Sequence, residues 1–334
     1  DIAGNTRYKS VGEIFYCVAS INRFAPWINK IYIVTDEQNP HVEPFLEKHF
    51  PEGYIPVEIV DHKTIFRDYE QYLPTFNSIC IESMTWRIPG LSEHFIEFND
   101  DLILAAPVSP EDFFTEEGNL VCYGKKYNSL VVKIHGLLKY HSDGRKRVTF
   151  KETMNNAASL LGRHLYMIKI YHTPKALLKS YYEKYFSEHP EHLIANISHR
   201  FRSPKQFNAQ ELQYLDAYRN GKCELRGAYD LLYLKPKKSV EYIEEKLRLF
   251  SEKKNCKFGC FNSLDQTSEE GKCLVVDWIE KRIEKWNAGR CGKRWGNFSA
   301  KTSRQIRQEY RRFDGGKRKR NDDNLIFFLE RISN

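Results

Sequence analysis

The chain has 334 residues with a formal net charge of +8, and its residues are 41% hydrophobic and 14% aromatic. This composition is typical of a globular protein and excludes a disordered or fibrous chain. No apolar run approaches the roughly 18 residues of a transmembrane helix. The eight cysteines are scattered singly, which favours reduced thiols and a cytoplasmic location.

The first hundred residues alternate between helical and extended patterns. Ile14, Phe15, Val18 and Ile21 recur at helical spacing, whereas the β-branched run at 30–35 is typical of a buried strand. This reasoning predicts helices at 11–24, 41–50 and 77–86 and strands at 30–35, 57–61 and 94–98. Such alternation predicts an α/β fold with a twisted, mainly parallel sheet and a crevice at its carboxyl edge.

Beyond residue 150 the pattern becomes mostly helical. Helices are predicted at 152–161, 174–186, 208–220 and 239–250, with one strand at 228–234. The stretch at 124–147 has little apolar periodicity and carries charge, which predicts a loop or hairpin insertion. We therefore expect one large domain over 1–280 with helical additions.

Positive charge is concentrated near the end of the chain. Residues 281–320 hold 15 Lys and Arg against three acids, a net of +12, so the remainder is about −4 by subtraction from +8. Five aromatic residues share this stretch. The mixture predicts a basic appendage at 281–334 that contacts an anionic membrane or polymer through 281–320, with a solvated terminal helix as the alternative. No nucleic-acid-binding motif occurs elsewhere, so nucleic acid is not an expected partner.

Two adjacent acids follow the predicted strand at 94–98. Asp100 and Asp101 stand where a strand end opens into the crevice of an α/β sheet. Mg²⁺ (or Mn²⁺) takes oxygen ligands from one or two carboxylates and from substrate phosphates. The pair points to metal-assisted chemistry on a phosphate-bearing substrate, with solvated loop acids as the alternative. Asp36 and Asp61 follow the two preceding strands, so all these acids should meet at one edge.

The acids belong to a long run of motif text within residues 7–104. It includes FAPWINKIYIVTDEQNP, IVDHKTIF, LPTFNSICIE and RIPGLSEHFIEFNDDLIL, and further text follows as HTP at 172–174 and HRFRS at 199–203. These stretches resemble the second and third conserved regions of the Stealth family of sugar-phosphate transferases. The resemblance covers roughly 7–280. The family's strand–loop motif of the YTWVDGSD type does not occur in these 334 residues.

The resemblance implies a Rossmann-like (GT-A-like) fold and a transferase activity. Such an enzyme moves a sugar-1-phosphate from a nucleotide-sugar to a glycan hydroxyl, forming a phosphodiester, in bacterial capsule or cell-surface polysaccharide synthesis. The cysteine usage and the basic stretch at 281–320 together predict a cytoplasmic enzyme with peripheral contact at the inner face of the membrane. A metal-dependent GT-A glycosyltransferase would use the same acids but break the sugar–oxygen bond. A polyanion-binding module is a third hypothesis.

The matching motifs imply four catalytic residues: Asp101, Glu82, His172 and Arg202. Asp101 is assigned as metal ligand and candidate base, with Asp100 as the second metal candidate or a structural partner of Asp101. Arg202 would clamp the phosphoryl group, because its planar fork matches phosphate oxygens. His172 would stabilise the transferred phosphate when charged, or shuttle a proton.

Glu82, the fourth catalytic candidate, and three further residues are expected to orient or bind the substrates. Glu82 would orient the catalytic groups or bind the acceptor sugar. Arg7, Asn77 and Asn99 are candidate donor contacts. For each position a structural role is the alternative, and Glu82 would in that case pair with Arg87.

Overall fold

The computed structural model describes residues 12–137, 149–162, 165–227, 231–235, 238–253, 256–262, 264–288 and 326–331. The α-helices are α1 (Glu13–Phe24), α2 (Glu43–His49), α3 (His62–Ile65), α4 (Ser78–Glu82), α5 (Ser129–Leu137), α6 (Phe150–Leu160), α7 (Lys179–Glu188), α8 (Pro190–Ile197), α9 (Ala209–Arg219), α10 (Val240–Glu252) and α11 (Glu269–Ala288). The strands are β1 (Ile28–Thr35), β2 (Val57–Asp61), β3 (His94–Asn99), β4 (Leu102–Leu104), β5 (Leu120–Asn128), β6 (Tyr166–Ile170), β7 (Lys175–Leu178), β8 (Cys223–Arg226), β9 (Leu231–Leu234), β10 (Phe258–Phe261) and β11 (Ile326–Arg331).

The largest sheet has the strand order β2-β1-β11-β3-β7. Only β1 and β2 pair in parallel in this sheet, whereas β11 runs antiparallel to both β1 and β3, and β7 runs antiparallel to β3. The mixed α/β class is confirmed, but the mainly parallel Rossmann-like sheet is not. The helix between β1 and β2 enforces a parallel pair, whereas β7 and β11 reach the sheet from distant segments that impose no direction.

The acids predicted at the strand ends nevertheless share one edge of this sheet. Thr35 pairs with Asp61, and Ile326 of β11 pairs with both Val34 and Asn99. Strands β2, β1 and β3 therefore run in the same direction and end together. This confirms the predicted convergence of the residues that follow them.

Two three-stranded sheets extend the fold, with orders β4-β10-β9 and β6-β5-β8. The apolar faces of all three sheets and of α1 join one buried cluster, in which Phe95, Phe98, Phe113 and Phe258 are fully enclosed. The hydroxyl of Ser20 on α1 accepts a hydrogen bond from the backbone N–H of Leu104 at 3.0 Å. This contact fixes α1 against β4, next to the turn that carries the acidic pair.

Three predicted elements differ from the structure. The region predicted as a loop at 124–147 contains the end of β5 and then α5, and residues 138–148 lie outside the described part. The strand was missed because the exposed lysines near its end read as loop charge. In the structure, Lys126 instead packs over the rings of Tyr166 and Tyr218. The helix predicted at 174–186 begins as β7, which pairs with β3 before α7 starts. The helix predicted at 77–86 is broken into α4 and a 3₁₀ turn at Thr85–Arg87.

The boundary predicted between 280 and 281 falls inside α11. Arg282 donates from Nη1 to the carbonyl of Ala105 at 2.8 Å and lies over the Trp278 ring at 4.3 Å. β11, also from the predicted appendage, lies within the main sheet. Most cations of 281–320 fall in 289–325, outside the described residues. Within the described residues, no helix is both long and apolar enough to cross a membrane.

Candidate active site

The turn at 74–77 and the loop at 199–203 dock on each other. The rings of Phe76 and Phe201 stack with centroids 5.6 Å apart, and Arg202 donates from Nη2 to the Ser78 hydroxyl at 2.9 Å. Ser78 begins α4 and Glu82 ends it. The exposed guanidinium of Arg202 is therefore held beside the helix that carries Glu82.

The buried side chain of Asn77 connects the turn at 74–77 to α4 and to the loop that begins at His199. Its side chain is 0% exposed, its Oδ1 accepts from the backbone N–H of Ile79 at 3.2 Å, and its Nδ2 donates to the carbonyl of His199 and to Gln206 Oε1. The hydrogen bonds make Asn77 the N-cap of α4. The geometry thus gives Asn77 a positioning role, and its proposed contact with the donor stays a prediction.

A buried polar network connects β3, β7, α4 and α9. The alternation of β3 places Glu97 and Asn99 on the same face, and Lys175 of β7 lies directly opposite Glu97 in the register. Lys175 Nζ is 3.2 Å from Glu97 Oε1 and 3.3 Å from Asn99 Oδ1. The Gln210 amide donates to both oxygens of Glu97, at 2.7 and 2.8 Å, and to Glu82 Oε2 at 3.1 Å. One amide thus joins two carboxylates.

The ionisable side chains of this network have differently shifted pKa values. Burial and, second, the carboxylate of Glu97 raise the pKa of Glu82 to about 7, although Lys175 and Arg202 oppose the shift. Burial alone would lower the pKa of Lys175, but Glu97, Glu82 and Asp101 outweigh it, and that pKa is raised. Lys175 therefore stays charged, whereas Glu82 exchanges a proton near neutral pH.

Asp100 and Asp101 form the turn between β3 and β4. Both are half-buried, and they line a narrow pocket with Glu13 and Tyr16. The Cys260 thiol lies 3.6 Å from Asp101 Oδ2 and donates to it. Cys260 of β10, which belongs to the β4-β10-β9 sheet, therefore supports the Asp101 carboxylate.

The same acids have the chemistry of a divalent-cation site. Burial raises the pKa of Asp100, and the charges of Asp101 and Glu13 raise it further. Burial also raises the pKa of Asp101, against the Cys260 hydrogen bond and the charge of Lys175. Three acids around one pocket repel each other, and a cation with a preference for oxygen would relieve this. Asp100 and Asp101 thus offer oxygen ligands of the kind that Mg²⁺ or Mn²⁺ prefers, whereas the three carboxylates together do not lie within 4.8 Å of one another, and the metal stays a prediction.

His172 is held between two aromatic rings. Phe150 stacks on one side with centroids 5.9 Å apart and Tyr233 on the other at 5.4 Å, while the residue remains exposed to solvent. Burial of the ring faces and, after it, the charges of Lys175, Lys169 and Arg202 lower the pKa of His172 to about 4. The imidazole is therefore neutral at pH 7, which favours the proton-shuttle role over the charged role.

We expect ¹H–¹⁵N spectra of the imidazole to show His172 titrating near pH 4 and almost entirely neutral at pH 7. Phe150→Ala should raise this pKa towards about 6.5, because it uncovers one ring face. Tyr233→Phe keeps the second ring and serves as the control that should change little. A His172 signal that titrates near pH 6.5 in the unmodified protein would contradict the expectation.

Regions distant in sequence meet around Lys175. Its charge acts on Glu82, Asp101 and His172, and Arg202 acts on Glu82 and His172. Arg7, a predicted donor contact, lies outside the described residues.

Sequence reasoning missed Glu97, Lys175 and Gln210. The signal for Glu97 was present, since a charged residue interrupts the apolar strand FIEF. Lys175 directly follows the HTP motif, where a charged residue opening a buried strand is unusual. Gln210 gives no such signal, because a polar residue in the first turn of a helix is ordinary.

The chain is similar in sequence to several known proteins. The family model for Stealth protein CR2, conserved region 2, matches residues 7–122. The chain is 36% identical over 208 residues to a capsular polysaccharide phosphotransferase of Haemophilus influenzae, covering 61% of this chain and 52% of that one. It is 33% identical over 249 residues to the receptor polysaccharide phosphotransferase WefC of Streptococcus gordonii, covering 67% and 72%.

A capsular polysaccharide phosphotransferase of Neisseria meningitidis is 34% identical over 219 residues, covering 63% of this chain and 55% of that one. The match spans about half the length of two of these relatives. These similarities are all to bacterial polysaccharide phosphotransferases. The chain belongs to the Stealth family.

Proposed function

We propose that the protein is a sugar-phosphate transferase of capsule or cell-surface polysaccharide synthesis. It would move a sugar-1-phosphate from a nucleotide-sugar to a glycan hydroxyl. The family and the names of the relatives support this class of activity. The observation that carries the proposal is the meeting of Glu82 and Asp101 with His172 and Arg202 around one buried lysine.

The proposed reaction exchanges one phosphorus–oxygen bond for another. The acceptor hydroxyl oxygen attacks the phosphorus that bears the sugar, and the bond from that phosphorus to the nucleotide breaks. A nucleoside monophosphate leaves, and the product is a phosphodiester. Arg202 binds the phosphoryl oxygens through its exposed guanidinium, and neutral His172 accepts the hydroxyl proton.

Glu82 is a group that can exchange a proton in the site, and neighbouring side chains orient it. The pKa of about 7 lets Glu82 gain or lose a proton near neutral pH, so it is suited to binding an acceptor hydroxyl. Gln210 and Lys175 keep Glu97 in place, and Gln210 in turn orients Glu82. Asn99 shares Lys175 and is the described donor-contact candidate nearest this network.

Mg²⁺ (or Mn²⁺) is the proposed cofactor, held by Asp101 and Asp100. When bound, such an ion neutralises negative charge that develops on phosphoryl oxygens. Asp101 would then serve the metal, and His172 the proton. This division follows from the different surroundings of the two side chains.

Identification of the released nucleotide tests the reaction class. Incubation with nucleotide-sugars and a glycan acceptor should release a nucleoside monophosphate and leave phosphorus in the product, measured by chromatography and ³¹P NMR. Release of a nucleoside diphosphate, with a phosphorus-free product, would instead establish the glycosyltransferase alternative. Arg202→Ala provides the control for release that does not depend on the site.

We also propose a cytoplasmic enzyme that contacts an anionic membrane or polymer through the cations of 281–320. Replacing the Lys and Arg residues of 311–320 with Gln should weaken binding to anionic vesicles, and binding to the unmodified protein should fade with salt, because exposed charges are screened over about 10 Å at 0.1 M. Equal binding by both proteins would remove this role. The control replaces as many exposed cations elsewhere: Lys48, Lys63, Lys184, Lys205, Lys222 and Lys235.

A further inference from the structure

A second cluster of ligand-type side chains lies at the corner where α7 meets α8. His189 Nδ1 is 3.5 Å from Glu191 Oε1, and His192 Nε2 is 3.7 Å from the same oxygen. Among the described residues, this is the only group of three or more His, Cys, Asp and Glu side chains with ligand atoms within 4.8 Å of one another. The three residues are half-buried or exposed, so solvent reaches them.

The donor set suits Zn²⁺ and not the cation of the catalytic pocket. Two imidazole nitrogens and one carboxylate oxygen are zinc ligands, at about 2.0–2.2 Å from the metal. Tetrahedral bonds of that length separate neighbouring ligand atoms by about 3.4 Å. The separations of 3.5 and 3.7 Å are close to this value, but the two imidazole rings stack with centroids 5.0 Å apart, so one ring must rotate for both histidines to bind the same ion. Mg²⁺ requires oxygen ligands and would not compete.

Tyr185 contacts both histidines of the cluster. Its hydroxyl lies 2.9 Å from His192 Nδ1, and its ring packs against His189 with centroids 4.8 Å apart. A partner on Nδ1 leaves Nε2, the nitrogen that faces Glu191, for the metal.

The corner has structural connections to the proposed active site. Asn196 of α8 donates to the Ser83 hydroxyl at 2.7 Å, and Phe186 of α7 stacks on Trp86 at 6.2 Å. Ser83 directly follows Glu82. A metal bound at the first turn of α8 would therefore stiffen the segment that contacts the end of α4.

We propose that His189, Glu191 and His192 bind one Zn²⁺ ion, with water as the fourth ligand. The site stabilises the α7–α8 corner and takes no part in the transfer reaction. The proposal does not depend on the proposed activity, because both of its measurements, binding and thermal stability, need no substrate.

Zinc titration of the chelator-treated full chain tests the site. Calorimetry should show one Zn²⁺ ion bound per chain through this cluster, and Zn²⁺ should raise Tm by several degrees. The double variant His189→Ala/His192→Ala should lose this binding event and the rise in Tm. Tyr185→Phe should weaken binding by about 10–100-fold, because it removes only the hydroxyl that orients His192.

Two matched variants separate this cluster from its surroundings. Glu188→Gln removes a neighbouring exposed acid and should bind Zn²⁺ like the unmodified protein. Asp101→Asn alters the proposed catalytic pocket and should also leave this event unchanged. Co²⁺ in place of Zn²⁺ should give the intense visible absorption of tetrahedral coordination, lost in the double variant.

The proposal is overturned if the unmodified protein shows no binding tighter than millimolar. It is also overturned if the double variant, folded by circular dichroism, binds with the same affinity and stoichiometry. Should the double variant fail to fold, Glu191→Gln replaces it, since this change removes only the ligand charge at an exposed position. A Glu191→Gln protein that binds Zn²⁺ with unchanged affinity would equally exclude the site.

Discussion

Asp101→Asn should lower kcat by about 10²–10³-fold or more while leaving the fold intact. Asparagine keeps the shape of the side chain but removes the charge with which Asp101 would hold a cation against the phosphoryl oxygens. The loss should appear in kcat more than in KM, because the interaction matters most in the transition state. Turnover at saturating Mg²⁺ is the measurement, with circular dichroism to verify folding.

Asp100→Asn is the matched control for this change. The two acids are adjacent and share one pocket, yet only Asp101 also feels the charge of Lys175. We expect the smaller loss for Asp100. EDTA should abolish the activity of the unmodified protein, and Mg²⁺ or Mn²⁺ should restore it. Near-normal turnover of Asp101→Asn, or activity that survives EDTA, would remove the metal role from this pocket.

Lys175→Met should lower the free energy of unfolding by about 3–5 kcal/mol, because it leaves Glu97 charged and buried without its cation. Lys175 is 7% exposed and Glu97 is 1% exposed, so water cannot replace the lost partner. Urea denaturation followed by tryptophan fluorescence measures the change.

The control for this prediction lies four residues further along the chain. Lys179 pairs with Glu183 at the surface, at 3.5 Å, and Lys179→Met should cost less than about 1 kcal/mol. The double change Lys175→Met/Glu97→Gln should recover part of the lost stability, since a neutral amide needs no counter-charge. Equal losses in the free energy of unfolding for the two lysine variants would show that the buried pair contributes no more than the exposed one.

The early elements were predictable because local pattern decides them. α1 has a clear 3.6-residue period, β1, β2 and β3 are short runs of β-branched and apolar residues, and the structure reproduces all four within a few residues. β7 was misread as part of a helix, because a four-residue strand is too short to show a period. Its strand character comes from pairing with β3, some 80 residues earlier, which no local window contains.

The candidate site was likewise predictable from the sequence only in part. Motif text located Glu82, Asp101, His172 and Arg202, and the structure brings them together, but their roles stay predictions. The sequence does not show that Lys175 connects them. The low pKa of His172 was equally invisible, because it arises from rings and cations far apart in the chain.

The position of β11 has a consequence for how the protein is made. β11 separates β1 from β3 in the main sheet, yet the ribosome completes it about 290 residues after β1. Until then β1 and β3 each present a row of unpaired backbone groups that can pair with a strand of another chain. The strand that precedes Asp101 is thus synthesised early but enclosed late. A nascent chain of this kind should depend strongly on protection from aggregation during translation.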